Sequence, residues 1–359
     1  MRGPRIEYFI ILLLFSMSSH LSALPVNGLG EGLDLNVQFR LSGQYDDHGL
    51  EKTAGAEDPK PTFALDMNNV NLNLNGSINK EVSYSLSYQL LQSNIDWFYV
   101  ERKFGSLFEV RAGIDRINTA GFDHKNVAYN HFSPSAFLGH LPLNTRAPSL
   151  ELKIHPVEST YASVQITDDV LSAGNAGRNS LRFNETNKQP VFIFELGAEI
   201  WGLKPLLQFA EYDFRHSVHT AFGVAIDIGS FDAYIDYIVD KRAFRSEAVA
   251  SGELSDEHSS KVVHVSYDFS GYVAFAKFSE YEVSQGGVDV KGNEFDVDAY
   301  AFSDNAQKLS VGTTVRHQKR ALESYYYVES TTADFTTESN IQIQSKSTLK
   351  YVVGIMGSI

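Results

Sequence analysis

The sequence predicts an all-β chain closed into a transmembrane antiparallel β-barrel of about sixteen strands, with short periplasmic turns and long external loops. Three observations carry that prediction. Apolar and polar residues alternate along most of the chain, short turns alternate with long polar connections, and no run of 18 apolar residues follows residue 23. A strand sends successive side chains to opposite faces, so alternation gives one apolar face and one wet face. A helix would need about 20 consecutive apolar residues to cross a bilayer, and the chain has none.

The alternation is plain near the amino end. Leu33, Leu35, Val37, Phe39 and Leu41 interleave with Asp34, Asn36, Gln38, Arg40 and Ser42. Val70, Leu72 and Leu74 alternate with Asn69, Asn71, Asn73 and Asn75, and Val82 to Leu90 with Ser83, Ser85, Ser87 and Gln89. Phe108, Val110, Ala112 and Ile114 alternate with Glu109, Arg111, Gly113 and Asp115. Strands are expected near 33–42, 66–76, 82–91, 95–104, 107–116, 149–155, 161–169 and 191–200. The second half adds 206–214, 220–228, 231–240, 261–269, 272–283, 308–318, 322–331 and 348–359. An even count leaves both barrel termini on the periplasmic side. The segment 294–302 (EFDVDAYAF) also alternates. It is assigned to an external loop hairpin; adding it and a partner gives the alternative of eighteen strands.

The connections sort into two kinds. Ile78-Asn79-Lys80-Glu81, Phe104-Gly105-Ser106-Leu107, Gly229-Ser230 and Ser270-Gly271 are tight-turn sequences. Segments 43–61, 117–148, 170–190, 241–260 and 284–306 are long and polar. A soluble sandwich has no reason to alternate connection lengths in this way.

Before the first strand, Arg2 and Arg5 precede a ten-residue apolar run, Tyr8 to Met17, followed by Ser18, Ser19, Ser22 and Ala23. A basic start, a short apolar stretch and small residues predict a cleaved signal peptide over 1–23, and hence export. The barrel domain then spans 24–359.

Composition narrows the chemistry. The 359 residues include no cysteine, which excludes disulfides, cysteine metal sites, iron–sulfur clusters and a cysteine nucleophile. With 30 Lys+Arg against 44 Asp+Glu the net charge is −14, a poor match for nucleic acid. Without the signal segment, 28 basic and 43 acidic residues leave −15. No Gly-x-Ser-x-Gly elbow or P-loop occurs. His216 and His219 are expected as exposed loop histidines and Asp46-Asp47-His48 as a solvated loop tip. No catalytic residue, metal or cofactor is therefore expected.

Sixteen strands enclose an aqueous channel, whereas eight enclose only side chains. A polar inner face suits such water, so the expected function is passive diffusion of small hydrophilic solutes and ions. The segment 117–148 carries Phe122, Phe132, Phe137, Leu138, Leu141 and Leu143, which a solvated loop does not need. It is expected to fold into the lumen as a constriction. Its charged residues Asp123, His124 and Arg146 would face Arg40, Arg111 and Asp115 from the inward parity of the wall. Arg102 joins these candidates from a strand of ambiguous facing, because Trp97/Tyr99 and Phe98/Val100 compete for the apolar side. Charges at a constriction set which ions pass.

Several stretches resemble Gram-negative outer-membrane porins. Asn71–Val82, Asp96–Phe104 and Val110–Asp115 resemble the amino-terminal half of phosphate-selective-type porins. Leu309–Arg316, Lys319-Arg320, Tyr325–Val328 and Tyr351–Ile359 resemble the closing strands of general porins. The resemblance implies a sixteen-stranded barrel, commonly a homotrimer, in contact with outer-membrane lipid and lipopolysaccharide. Two departures stand out: family members usually end in an aromatic residue where this chain has Ile359, and phosphate-selective members carry basic ladders where this chain is acidic. The acidic excess points to a mild cation preference. The alternative function is a non-conducting barrel acting in adhesion or ligand binding through its external loops.

Overall fold

The computed structural model describes residues 34–47, 62–91, 93–119, 121–127, 146–167, 190–213, 217–245, 253–286, 303–317, 322–336 and 343–358. The first eight strands are β1 (Asp34–Asp47), β2 (Thr62–Ser77), β3 (Val82–Gln89), β4 (Asn94–Phe104), β5 (Phe108–Arg116), β6 (Arg146–Val157), β7 (Thr160–Thr167) and β8 (Val191–Ala198). The rest are β9 (Leu203–Asp213), β10 (Ser217–Ile228), β11 (Phe231–Arg245), β12 (Glu253–Asp268), β13 (Tyr272–Gly286), β14 (Ser303–His317), β15 (Leu322–Thr336) and β16 (Ile343–Ser358). One short helix, α1 (Gly121–Val127), lies between β5 and β6.

Each strand pairs antiparallel with its sequence neighbours, and β1 closes on β16 through partners such as Phe39 with Gly357 and Leu41 with Ile355. Closure leaves no row of unpaired backbone groups, which is what permits a sheet to stand in an apolar phase. Among the described residues no helix is long and apolar enough to cross a membrane.

The two faces differ as the alternation predicts. Outward positions hold Leu35, Leu150, Phe194, Phe222, Ile235, Val311 and Val353, all large and exposed. Inward positions hold Asn73, Ser87, Gln165, Gln208, Ser279 and Thr314, polar and buried. This is a globular protein's pattern reversed, and an apolar outer face is stable only against an apolar phase.

Tight turns close one rim. Asn79 Oδ1 accepts from the Glu81 and Val82 amides at 2.8 and 2.9 Å, tying the β2–β3 turn. Trp201 and Gly202 both have positive φ, 53° and 84°, the handedness a two-residue hairpin turn needs.

Several strands run beyond the sequence-based bounds. β12 begins at Glu253 rather than near 261, and β11 reaches Arg245, so much of 241–260 is strand and not loop. Apolar alternation marks only the part of a strand whose outer face is apolar; the polar Ser255–Ser260 stretch continues the ladder beyond it. His219 is a second correction. It lies within β10, wholly buried, with Nδ1 3.4 Å from Asp240 Oδ2, because its parity turns it inward. His216, the segment 294–302 and the signal segment lie outside the described residues.

The inner wall from β13 to β16 has its own small core of Phe275, Tyr325, Tyr327 and Val352. Glycines make room for these rings. A Cβ on Gly354 would stand 2.1 Å from the Tyr325 ring, and one on Gly312 2.5 Å from Tyr327 Cβ. Gly354→Val should therefore destabilise the folded barrel by about 1–3 kcal/mol, the usual cost of overpacking. Gly43→Ala, whose new Cβ meets nothing closer than 3.5 Å, should lie within about 0.5 kcal/mol of the parent. Urea unfolding midpoints in lipid vesicles measure both, and equal midpoints would contradict the packing argument.

Candidate functional site

The inner wall carries charge in sectors. On β4 to β6, Arg111 sits among carboxylates. Its Nε and Nη2 donate to Glu101 Oε2 at 3.2 and 2.7 Å, and Nη1 donates to Asp115 Oδ2 at 3.0 Å. Glu109 at 3.7 Å and Glu151 at 4.0 Å complete the ring of acids. The guanidinium also lies 4.6 Å from the Tyr99 ring centroid. Lys103 lies 3.8 Å from Glu101 and Lys153 4.0 Å from Glu151, so three cations meet four carboxylates and the sector keeps a slight acidic excess.

The facing sector, β13 through β16 to β1, is cationic. Lys277 is inward and buried, Lys308 is inward and part-buried, and Lys350 and Arg40 share that inner face. Lys308 Nζ pairs with Glu329 Oε1 at 3.1 Å, with Lys350 opposite Glu329 on the next strand. Arg40 Nε donates to Tyr325 Oη at 2.8 Å while its guanidinium stacks 5.2 Å above the same ring. The arrangement follows from parity: each of these residues falls on the polar phase of its strand.

Between the sectors runs the chain after β5. Ile117 is buried, the Asn118 amide donates to Gln165 Oε1 at 2.9 Å, and Asn118 Nδ2 donates to Glu151 Oε1 at 3.0 Å. The segment then reaches across to β9, β10 and β11, where α1 packs. The Gly121 amide donates to Gln208 Oε1 at 2.8 Å, and the Asp123 amide to Asp236 Oδ2 at 2.7 Å. Tyr234 Oη donates to Asp123 Oδ1 at 3.1 Å, and the Lys277 ammonium bonds the same oxygen. Lys125 Nζ donates to Glu195 Oε1 at 2.6 Å, an oxygen that also accepts from Tyr161 Oη at 2.7 Å. Seven wall strands thus hold residues 117–119 and 121–127 on the inner face.

Two glycines make that docking possible. Gly121 has φ +66°, and a Cβ there would sit 2.6 Å from the Asp236 carboxyl. A Cβ on Gly223 would stand 2.2 Å from Asp236 Oδ1 and 2.8 Å from the Phe122 ring. Bare backbone at both positions lets the Asp236 carboxylate reach the start of α1. Phe122 then packs on Ala225, Tyr234 and Val262, an apolar patch on an otherwise polar wall. Burial of the Asp123 carboxylate is costly unless it is paired and hydrogen-bonded, and Lys277 and Tyr234 meet that need.

Of the residues expected at a constriction, Arg111, Asp115, Asp123 and Arg40 all lie on the inner face, Arg40 on the cationic sector and Arg111 with Asp115 on the acidic one. His124 falls within α1 and Arg146 starts β6. Arg102 does not join them. Trp97 and Tyr99 take the inner phase, with Trp97 Nε1 donating to Ser85 Oγ at 3.0 Å, so Arg102 stands on the outer wall beside Glu81. Sequence reasoning missed Tyr234, Asp236, Lys277, Glu195 and Gln208. Their inward parity marks them as wall residues, but their meeting with α1 depends on how the strands stagger round the barrel.

No protein-family profile matches the chain, and no curated protein sequence does. Solved structures do match it. The anion-selective porin from Comamonas acidovorans superposes with a TM-score of 0.60 at 13% identity, over 91% of this chain and 99% of that one. In-vitro folded OmpT of Vibrio cholerae, in a trimer form, gives 0.59 at 11% identity over 91% and 99%. Outer-membrane expressed OmpT of the same organism gives 0.58 at 11% over 91% and 97%. These likenesses and the closed sixteen-stranded sheet lead to one conclusion: the chain has the fold of the outer-membrane porins.

Proposed function

We propose that the protein is an outer-membrane porin, a water-filled channel for passive diffusion of small hydrophilic solutes and ions, with a mild preference for cations. The observation that carries this reading is the inner face itself, which is polar and charged where the outer face is apolar. A closed sixteen-stranded wall of that kind encloses water. Segment 117–127 acts as the constriction, held between the acidic sector around Arg111 and the cationic sector around Lys277. Opposed charges across a narrow passage orient a dipolar solute and weight the passage of ions. The carboxylates around Arg111 and the acidic net charge of the chain support the cation preference. The name of the Comamonas neighbour describes anion selectivity, and nothing in the acidic sector of this chain supports the same assignment here. Export through the signal segment and assembly as a homotrimer belong to the same reading, with lipopolysaccharide and phospholipid as its surroundings.

Planar-bilayer recording tests the channel directly. Purified protein should raise conductance in discrete steps, and the reversal potential in a potassium chloride gradient should fall on the cation side of zero. A silent bilayer would overturn the reading, and an anion-side potential would overturn its selectivity. Gly223→Val tests the constriction. The added methyls cannot share space with Asp236 and Phe122, so α1 should leave the wall and single-channel conductance should rise. Unchanged conductance in a folded Gly223→Val barrel would show that 117–127 does not limit flow.

A further inference from the structure

Arg102 is excluded from the lumen, yet it is a charged side chain on a wall that is apolar around it. It shares its outward row with Val82, Val110 and Leu152, and Phe104 lies next below it on the same strand. Two residues separate it from the β4–β5 turn, roughly 5 Å of height on a tilted strand. Two residues from the rim of a membrane-embedded barrel, a side chain is within reach of headgroups as well as of hydrocarbon.

The guanidinium is held in place without being used up. Its carbon lies 4.6 Å from the Phe104 ring centroid, a platform that fixes the plane of the fork. Nη2 reaches Glu81 Oε2 at 3.5 Å, a long contact between side chains 54% and 60% exposed. Such exposed pairs are weak and readily exchanged for a better anion. Nε and Nη1 have no protein partner among the described residues.

We propose that Arg102, seated on Phe104, binds the phosphate of a glycerophospholipid headgroup in the periplasmic leaflet. The inference rests on the membrane-embedded reading of the barrel. A planar guanidinium is matched to phosphate, to which it can donate two parallel hydrogen bonds, and a long side chain near a membrane edge extends its charge toward the headgroups. A carboxylate from a second copy would also satisfy the fork. Against that occupant, Leu152, Val110 and Val82 fill the same row, so a neighbour meeting this face with its own offers no acid there beyond Glu81.

Lipid retention tests it. The full-length protein and the variants Arg102→Gln, Arg102→Lys and Phe104→Leu are placed in nanodiscs of phosphatidylglycerol or of uncharged digalactosyldiacylglycerol, then released for native mass spectrometry. The parent should keep at least one more phosphatidylglycerol per barrel than Arg102→Gln. Arg102→Lys and Phe104→Leu should each lose part of that retention, and no difference should appear with the galactolipid. Equal phosphatidylglycerol retention by the parent, Arg102→Lys and Phe104→Leu overturns the proposal, including where Arg102→Gln does not fold. So does an altered oligomeric mass for Arg102→Gln with an unchanged lipid count, which would assign the site to a second copy. Channel conductance reports separately: a silent parent that still retains the lipid removes the channel reading and leaves this site standing.

Discussion

Every feature of this barrel depends on one constraint, the need to satisfy all backbone hydrogen bonds where no water is available. The β1–β16 pairing meets it by joining the first strand to the last, so that no strand is an edge. Once the sheet is closed, each strand has one face toward the surrounding phase and one toward the interior. The alternation of Leu72 and Leu74 with Asn71, Asn73 and Asn75 is the sequence consequence. A mean hydropathy of −0.20 is compatible with a membrane protein for the same reason, since only the outer half of each strand has to be apolar.

Closure also creates an interior with an unusual problem. Polar side chains that face inward must find partners without filling the space. On β4 to β6 they do so by charge pairing around Arg111; on β13 to β16 they do so by packing rings over bare glycine backbone at Gly312 and Gly354. Segment 117–127 joins the two solutions. It borrows an apolar anchor, Phe122 on Ala225 and Tyr234, and a charged one, Asp123 with Lys277. An anchor of both kinds fixes position and orientation together.

Much of the architecture was legible in the residues because period two is strictly local. Sixteen segments, the division into short and long connections and the inward parity of Arg40, Arg111 and Asp115 all follow from it. What was not legible has one of three causes. Strand extensions such as the Ser255–Ser260 part of β12 are polar on both faces, so no contrast marks them. The contacts of α1 join residues far apart in the chain, 70 positions for Lys125 and Glu195 and 113 for Asp123 and Asp236, and depend on stagger that no local pattern encodes. Arg102 failed for a third reason: both phases of 95–104 are aromatic, and the decision fell to the hydrogen bond of Trp97.

The central claim is that one face of each strand meets water and the other lipid. The chain has no cysteine, so single cysteines can report facing without interference. In vesicle-embedded protein, Asn36→Cys and Gln38→Cys on β1 should react with a charged, water-soluble thiosulfonate, while Val37→Cys and Phe39→Cys should be protected. Uniform reaction at all four positions, or reaction at 37 and 39 with protection at 36 and 38, would contradict the account.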